Sequence, residues 1–372
     1  MLDITKLECQ IQKICKFLYF FTVKKKIIFL INGLGLGNST RCEALINILK
    51  KKYDIYLVLS GNSEWYFKKK YKNKHICIQS INYKSKNNKI NIFNTLLEIV
   101  KKKNVLVSNS EKIIKFSNKI KPDIIISDSV YINFYKLNKK IRLISLNNAE
   151  LVIKKFFKLK NFKFSILFHF LFIEFFDFLI SKFFFDNNLS PILNFNDLKV
   201  SNKKLKRIPI ISKFKEKSIK EYQNKKLSIM LSGSSFSSNL NLSKKLNIFK
   251  KINIIGNNKN ININRLKNVE IHGKIRNNLI FLDQSDFVII NCGYSAIADS
   301  ITLKKPMLML PIKNHAEQWI NAKEIEKMGL GKIVNKDLSN EIIEFMKNLN
   351  KYTKNFKKLK YPKIKKYVEE IF

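Results

Sequence analysis

The stretch 286–322, DFVIINCGYSAIADSITLKKPMLMLPIKNHAEQWINA, leaves this chain few architectures. Its apolar run Phe287 to Ile290 reads as a buried strand, and a glycine turn at Cys292-Gly293-Tyr294 follows. Ser295 to Leu303 reads as a helix, with Ser295 and Asp299 one turn apart on the same face, ended by Lys304-Lys305-Pro306. A second buried strand, Met307 to Leu310, stops at Pro311. A loop with His315, Glu317 and Gln318 then leads into a helix to about Met328, closed by Gly329 and Gly331. Two strand–loop–helix units in succession imply an α/β protein with a parallel sheet, in which ligands bind beyond the carboxyl ends of the strands. Gly293, Ser295, Asp299, Glu317 and Gln318 are therefore expected to share one crevice. A helix start offers unpaired N–H groups and positive dipole to a diphosphate. A carboxylate one turn further in can accept hydrogen bonds from ribose hydroxyls, and a Glu-Gln pair can hold sugar hydroxyls. Each residue alone is better explained as an ordinary turn residue of an αβα layer; the set at this spacing favours a site.

A second glycine turn lies near the start. The chain has ten glycines, and three of them fall within the five positions 33–37. The strand Lys26 to Asn32 precedes this turn and a helix to about Lys51 follows it, a setting in which glycines let backbone approach a ligand closely. A nicotinamide cofactor is disfavoured. The spacing is G-x-G-x-G with Asn38 in place of the third fingerprint glycine, and the next strand, Ile55 to Ser60, ends without an acidic residue. Pro122 introduces another buried run that ends in a carboxylate at Asp128, which reads either as a general base facing the cleft or as a cap for the next helix. In the second half, Leu227 to Leu231 reads as a strand leading into Ser232-Gly233-Ser234, whose hydroxyls and N–H groups make an anion nest, and a helix is expected near Leu240 to Phe249.

Taken together, these segments resemble the GT-B glycosyltransferases, especially glycosyltransferase family 28 with its MurG-type N-acetylglucosaminyltransferases. The resemblance implies two Rossmann-like domains whose parallel sheets face each other across a cleft. It also implies an acidic residue six positions after the glycine that contacts the ribose, which is Asp299 after Gly293, with Asp in place of the more usual Glu. Glu317-Gln318, followed by Asn321-Ala322, matches the pair that reads the donor sugar, and Ser232, Gly233 and Ser234 match the turn that approaches the donor phosphates. Gly33, Gly35, Gly37 and Arg41 match the acceptor-side G-x-G-x-G-H-x-x-R turn, but Asn38 stands where the family has a histidine near the reaction centre. An amide cannot take a proton. Either another residue serves, with Asp128 the substitute base, or the activity is changed or lost. The resemblance implies inverting transfer of a hexosyl group from a UDP-sugar to a hydroxyl of a glycan or lipid-linked acceptor. A UDP-sugar hydrolase or epimerase, or a non-catalytic sugar-nucleotide binder, are the alternatives. The UDP-sugar is a substrate, no cofactor is expected, and no Asp-x-Asp occurs to hold a metal at the diphosphate.

At 372 residues two domains are expected. The reading places an extension over 1–24, a first domain over 25–205, a linker over 206–225, a donor domain over 226–350 and a final helical segment over 351–372 that returns to the first domain. The net charge of +43 comes from lysines scattered through every segment, in a composition rich in the residues of A/T-rich codons. A genome-wide bias explains it better than a nucleic-acid patch, although such a surface attracts anionic membranes. Five cysteines without metal-like spacing and no clear signal peptide point to a reduced cytoplasmic setting, at the inner face of the cell membrane if lipid is engaged. The phenylalanine-rich run 154–185 is interrupted by His169, Glu174, Asp177 and Lys182. It reads equally as a core-packed helix or as an interfacial segment touching lipid headgroups. On a helix Glu174, Asp177 and Ser181 share one narrow face.

Overall fold

The computed structural model describes residues 24–86, 89–159, 164–219, 225–231, 240–256, 261–263 and 266–372. Residues 1–23 of the expected extension over 1–24 and the turn Ser232-Gly233-Ser234 lie outside the described residues.

The first lobe carries seven parallel strands: β1 Lys26–Ile31, β2 Asp54–Ser60, β3 His75–Ile78, β4 Ile124–Asp128, β5 Arg142–Leu146, β6 Asn187–Pro191 and β7 Leu205–Ile208. They lie in the order β3-β2-β1-β4-β5-β6-β7. The second lobe has six, β8 Lys226–Met230, β9 Lys251–Ile255, β10 Val269–Gly273, β11 Phe287–Ile290, β12 Met307–Met309 and β13 Gly331–Ile333, in the order β10-β9-β8-β11-β12-β13. Both sheets thus run outward from their first strand in two directions. Each has a switch point, between β1 and β4 in one lobe and between β8 and β11 in the other, where loops diverge and a crevice opens. The central strands are near-continuous apolar runs because helices cover both faces; Ile27 to Ile31 are all fully buried.

The helices that matter here are α1 Gly37–Leu49, α2 Asn62–Phe67, α3 Ile92–Lys101, α4 Lys103–Ile120, α5 Ala149–Phe156, α6 Phe164–Phe184, α7 Leu279–Gln284, α8 Tyr294–Thr302, α9 Ala316–Lys327, α10 Leu338–Lys347, α11 Leu349–Lys357 and α12 Ile364–Ile371. One apolar core is shared by the two lobes. Leu193, Ile210 and Ile211 of the first pack in it with Met230, Ile255, Tyr294 and Ile297 of the second. Val152, Phe156 and Phe170 of α5 and α6 pack on Ala316 and Ile320 of α9. The last helix lies on the first lobe: Val368 is fully buried, Tyr53 Oη donates to the Phe372 carbonyl at 2.5 Å, and an Arg142 Nη donates to the Ile371 carbonyl at 2.9 Å.

Two regions depart from the sequence reading. Residues 187–225, expected to be a polar domain end and linker beyond the last strand, contain β6 and β7 at one edge of the first sheet. Only β7 is the edge strand; β6 lies inside it, and buried polar residues such as Asn188, Ser190 and Arg207 leave neither strand an apolar run to read. The helix expected near Leu240 to Phe249 is instead a short strand, Leu240–Leu242, paired with Ile261–Ile263, and a single 3₁₀ turn at Lys244–Ile248. Leu240 and Leu242 bury at period two, and Asn241 between them is a weak helix former.

Helix α6 is long and apolar enough to cross a membrane by length and composition. Its polar residues, however, face the protein. His169, Glu174 and Ser181 are buried, whereas Phe168, Leu171, Phe172, Phe175, Phe176 and Phe183 are exposed. Of its exposed apolar side chains, Leu171, Phe172 and Phe176 border the cavity between the lobes, while Phe168 and Phe183 stand outside it. A π-helical turn at Phe170–Glu174 interrupts its α geometry.

Candidate functional site

The two switch points open on one cavity of about 1130 Å³ between the lobes. On the first lobe, β1 ends in the glycine turn. Gly33 N donates to Ser60 Oγ at 3.1 Å, and a Cβ at Gly33 would lie 1.6 Å from the Ser60 carbonyl oxygen, so only glycine fits. Nothing lies within 4 Å of a Cβ at Gly35, which borders the cavity. Gly37 opens α1, and one turn in, Arg41 reaches the end of β4. Its guanidinium forks onto Asp128, with Nε to Oδ2 at 3.0 Å and an Nη to Oδ1 at 2.5 Å. Asn38 Nδ2 donates to Asp128 Oδ1 at 2.8 Å, and Cys42 Sγ lies 3.3 Å from Oδ2. Asp128 is fully buried under these four donors. This corrects its assignment as general base: with both oxygens engaged and no open face, the carboxylate orients Arg41 and Asn38 and does not meet an acceptor hydroxyl.

On the second lobe, the turn after β11 takes its left-handed residue at Cys292 (φ 60°), not at the glycine, and Asn321 Nδ2 holds the Cys292 carbonyl at 3.3 Å. A Cβ at Gly293 meets nothing within 4 Å. Here the glycine keeps space open in front of the α8 N-terminus and is not needed for the turn. Ser295 Oγ donates to the Gly37 carbonyl at 2.7 Å across the cleft. Asp299, 5% exposed, accepts from Ser212 Oγ at 2.6 Å. Burial pushes its carboxyl up to about 6, against the pull of Ser212 and of Lys213. Gln318 turns its carbonyl back to the Ile312 N–H at 2.9 Å, which leaves its amide nitrogen to donate. Glu317 borders the cavity; burial, then the charge of Glu174, pushes it up to about 7.

Gly35, Gly37, Asn38 and Arg41 thus occupy one wall, with Gly33 buried behind it against Ser60, and Gly293, Ser295, Asp299, Glu317 and Gln318 the facing wall. Six side chains were not assigned a role from sequence. Ser212 and Lys213 come from the inter-lobe connection and meet Asp299, with nothing local to announce it. Asp177 borders the cavity with a buried Oδ1 that has no hydrogen-bond partner. Burial, then the charge of Asp128, pushes it up to about 7, with Arg41 pulling it back. Finally His169 and Glu174 of α6 meet His315, with the two imidazoles stacked at 4.4 Å. Burial pushes His169 down to about 3 and Glu174 up to about 8. The shared face of Glu174, Asp177 and Ser181 was the signal in the sequence; that this face looks into the cleft was not.

Two parallel α/β lobes, each with a reversed strand order and with both switch points opening on a shared cavity, define the GT-B fold of glycosyltransferases. Solved structures agree over nearly the whole chain. A UDP-glucosyltransferase from Polygonum tinctorium aligns with a TM-score of 0.61 at 12% identity over 94% of this chain and 98% of that one. MurG of Acinetobacter baumannii aligns with a TM-score of 0.54 at 13% identity over 94% and 99%.

Residues 25–350 match the family described as glycosyl transferase family 1, and the chain belongs to that family. Local sequence likeness is MurG-like. A UDP-N-acetylglucosamine--N-acetylmuramyl-(pentapeptide) pyrophosphoryl-undecaprenol N-acetylglucosamine transferase of Geobacillus kaustophilus is 32% identical over 83 residues, 20% of this chain and 23% of that protein. An uncharacterized glycosyltransferase of Methanosarcina acetivorans is 31% identical over 77 residues, 21% of this chain and 20% of its own length. The chain therefore matches about a quarter or less of the length of these curated relatives.

Proposed function

We propose that the protein transfers a hexosyl group from a UDP-sugar to an acceptor hydroxyl, with inversion and without a metal at the diphosphate. The observation that carries this reading is the facing pair of glycine turns, with Asp299 one turn inside α8 on the same cavity. In the reading, the ribose hydroxyls donate to Asp299, the diphosphate lies against the open turn at Gly293 and the N-terminus of α8, and Glu317 and Gln318 hold the sugar. The absence of Asp-x-Asp supports a diphosphate held by backbone and dipole alone. Asp177, half-buried on the cavity wall, takes the proton of the acceptor hydroxyl as that oxygen attacks the anomeric carbon. The carbon–oxygen bond to the phosphate breaks on the opposite face and UDP leaves with the electron pair. The cavity is apolar towards α3, α4 and α6, where Leu96, Val107, Leu171, Phe172 and Phe176 line it, and this suits a lipid-linked acceptor reached from a membrane surface at its cytoplasmic face.

A thermal-shift titration tests the donor. UDP and UDP-sugars should stabilise the protein selectively over ADP and GDP, by about 2.7 kcal/mol at a hundredfold excess over Kd. Asp299→Ala should lose the effect, and equal response to all nucleotides would defeat the reading. A second reading, a sugar-nucleotide binder without turnover, draws on the engaged Asp128 and on Asn38. Selective binding with no sugar release or transfer would favour it.

A further inference from the structure

We propose that His169, Glu174 and His315 form a binding site for a divalent transition-metal ion, best matched by Zn²⁺, that ties helix α6 of one lobe to the start of α9 in the other. One ligand atom from each of the three side chains lies within 4.8 Å of the others, and all three are buried, at 0%, 6% and 9% exposure. Two imidazoles and one carboxylate are a donor set that zinc takes, with the fourth position left for water from the adjoining cavity.

The unmade hydrogen bonds point the same way. Both ring nitrogens of His169 and the Nδ1 of His315 are buried without a hydrogen-bond partner. Such groups are costly to bury, and native interiors rarely leave them so. His169 Nδ1 stands 3.3 Å from Glu174 Oε1 and still lacks hydrogen-bond geometry to it. That separation fits two ligands of one ion, since metal–ligand bonds of ~2.1 Å in a tetrahedron place ligand atoms roughly 3.4 Å apart. His315 offers its ligand atom within 4.8 Å of the other two.

The backbone is shaped for the pairing. His169 and Glu174 are five residues apart, which on a regular α-helix puts them on different faces. The π-helical turn Phe170–Glu174 between them, with its wider spacing, brings the two side chains together, and such turns are rare and frequent at functional sites. His315 precedes α9 directly, two positions before Glu317. An ion here would fix the wall that carries Glu317 and Gln318 against α6, so it would set lobe closure. This role is independent of which nucleotide or sugar the cleft accepts.

The test uses the full chain stripped with chelator and titrated with Zn²⁺ by calorimetry, with bound metal counted by mass spectrometry, and in parallel with Co²⁺ by visible absorption. One ion per chain, a rise in melting temperature, and cobalt d–d bands without thiolate charge transfer are expected. His169→Ala and His315→Ala should each weaken binding at least roughly ten- to a hundredfold, and Glu174→Gln should do so with little change in volume. Substoichiometric binding, binding unaltered in these variants, or a thiolate band marking cysteine ligation would overturn the proposal. Should a variant fail to fold, the stoichiometry and cobalt spectrum of the unaltered chain decide it.

Discussion

Ser295 Oγ donates to the carbonyl of Gly37 at 2.7 Å, joining two glycine turns 258 residues apart in the chain. The bond places the N-termini of α1 and α8 on opposite walls of one cavity. It also engages the Ser295 hydroxyl with the other lobe. In the proposed donor complex the diphosphate is therefore left to the backbone N–H groups of the second-lobe turn, where the bare Cα of Gly293 leaves room.

Asn38 is held by Asp128, which would equally orient an imidazole at that position, as a buried carboxylate does in hydrolytic triads. Asp177→Asn is expected to lower kcat by roughly 100-fold or more, the usual share of a general base. Asn38→His in the same background should restore part of that loss. Turnover of a UDP-sugar by the single and double variants checks both. Full activity in Asp177→Asn would remove Asp177 from the mechanism.

Asp299 links stability to pH. Its carboxyl is raised by burial from the usual 3.8 to about 6. The stability it contributes is complete below pH ~4 and is lost as pH rises through about 6, a change of about 3 kcal/mol. Asp299→Asn keeps an acceptor for Ser212 and removes the ionisation. The variant should gain on the unaltered protein above pH 6 and not near pH 4, as read from urea unfolding at several pH values. Its affinity for UDP should nevertheless fall, because one acceptor for the ribose hydroxyls becomes a donor.

The two first-lobe glycines should respond differently to alanine. Gly33→Ala drives a methyl into the Ser60 carbonyl and should cost about 2–4 kcal/mol through displaced backbone. Gly35→Ala meets nothing within 4 Å and should leave the melting temperature nearly unchanged. If the turn at Gly35 is an acceptor-side wall, that substitution acts on KM instead. Denaturant titration and steady-state kinetics on the pair separate the two effects.

The outward phenylalanines of α6 predict membrane affinity. Phe168 and Phe183, 53% and 69% exposed, can leave water only against a lipid surface or another protein. Replacing both by serine should weaken binding to anionic vesicles roughly tenfold or more, at about 1.5–3 kcal/mol for a fully buried Phe, while stability holds. Vesicle flotation at two salt concentrations measures this, and the lysine-rich surface predicts weaker binding at the higher one.

Much of the fold could be read from residue order alone. The apolar runs at Lys26 and Phe287, each followed by a glycine turn and then a helix, and the run at Asp123 that ends in a carboxylate, define parallel strands and put those turns at the carboxyl ends. This information is local: periodicity, turn chemistry and helix starts depend on neighbours within a few residues. Strands β6 and β7 escaped because polar residues, Asn188, Ser190 and Arg207 among them, are buried in them and no apolar run marks either, and the 240–249 segment because a short apolar run fits helix and strand alike.

What tertiary structure alone decided was partnership. A carboxylate after an apolar run carries no mark of whether it will meet solvent or an arginine 87 positions away, and packing gave Asp128 to Arg41. The same holds for the polar face of α6, which the sequence displays and only the packed lobes aim inward, bringing His169 and Glu174 to His315. Hydrogen-bond and charge partners are chosen by which surfaces burial brings together, and in a two-lobed chain those surfaces come from distant segments.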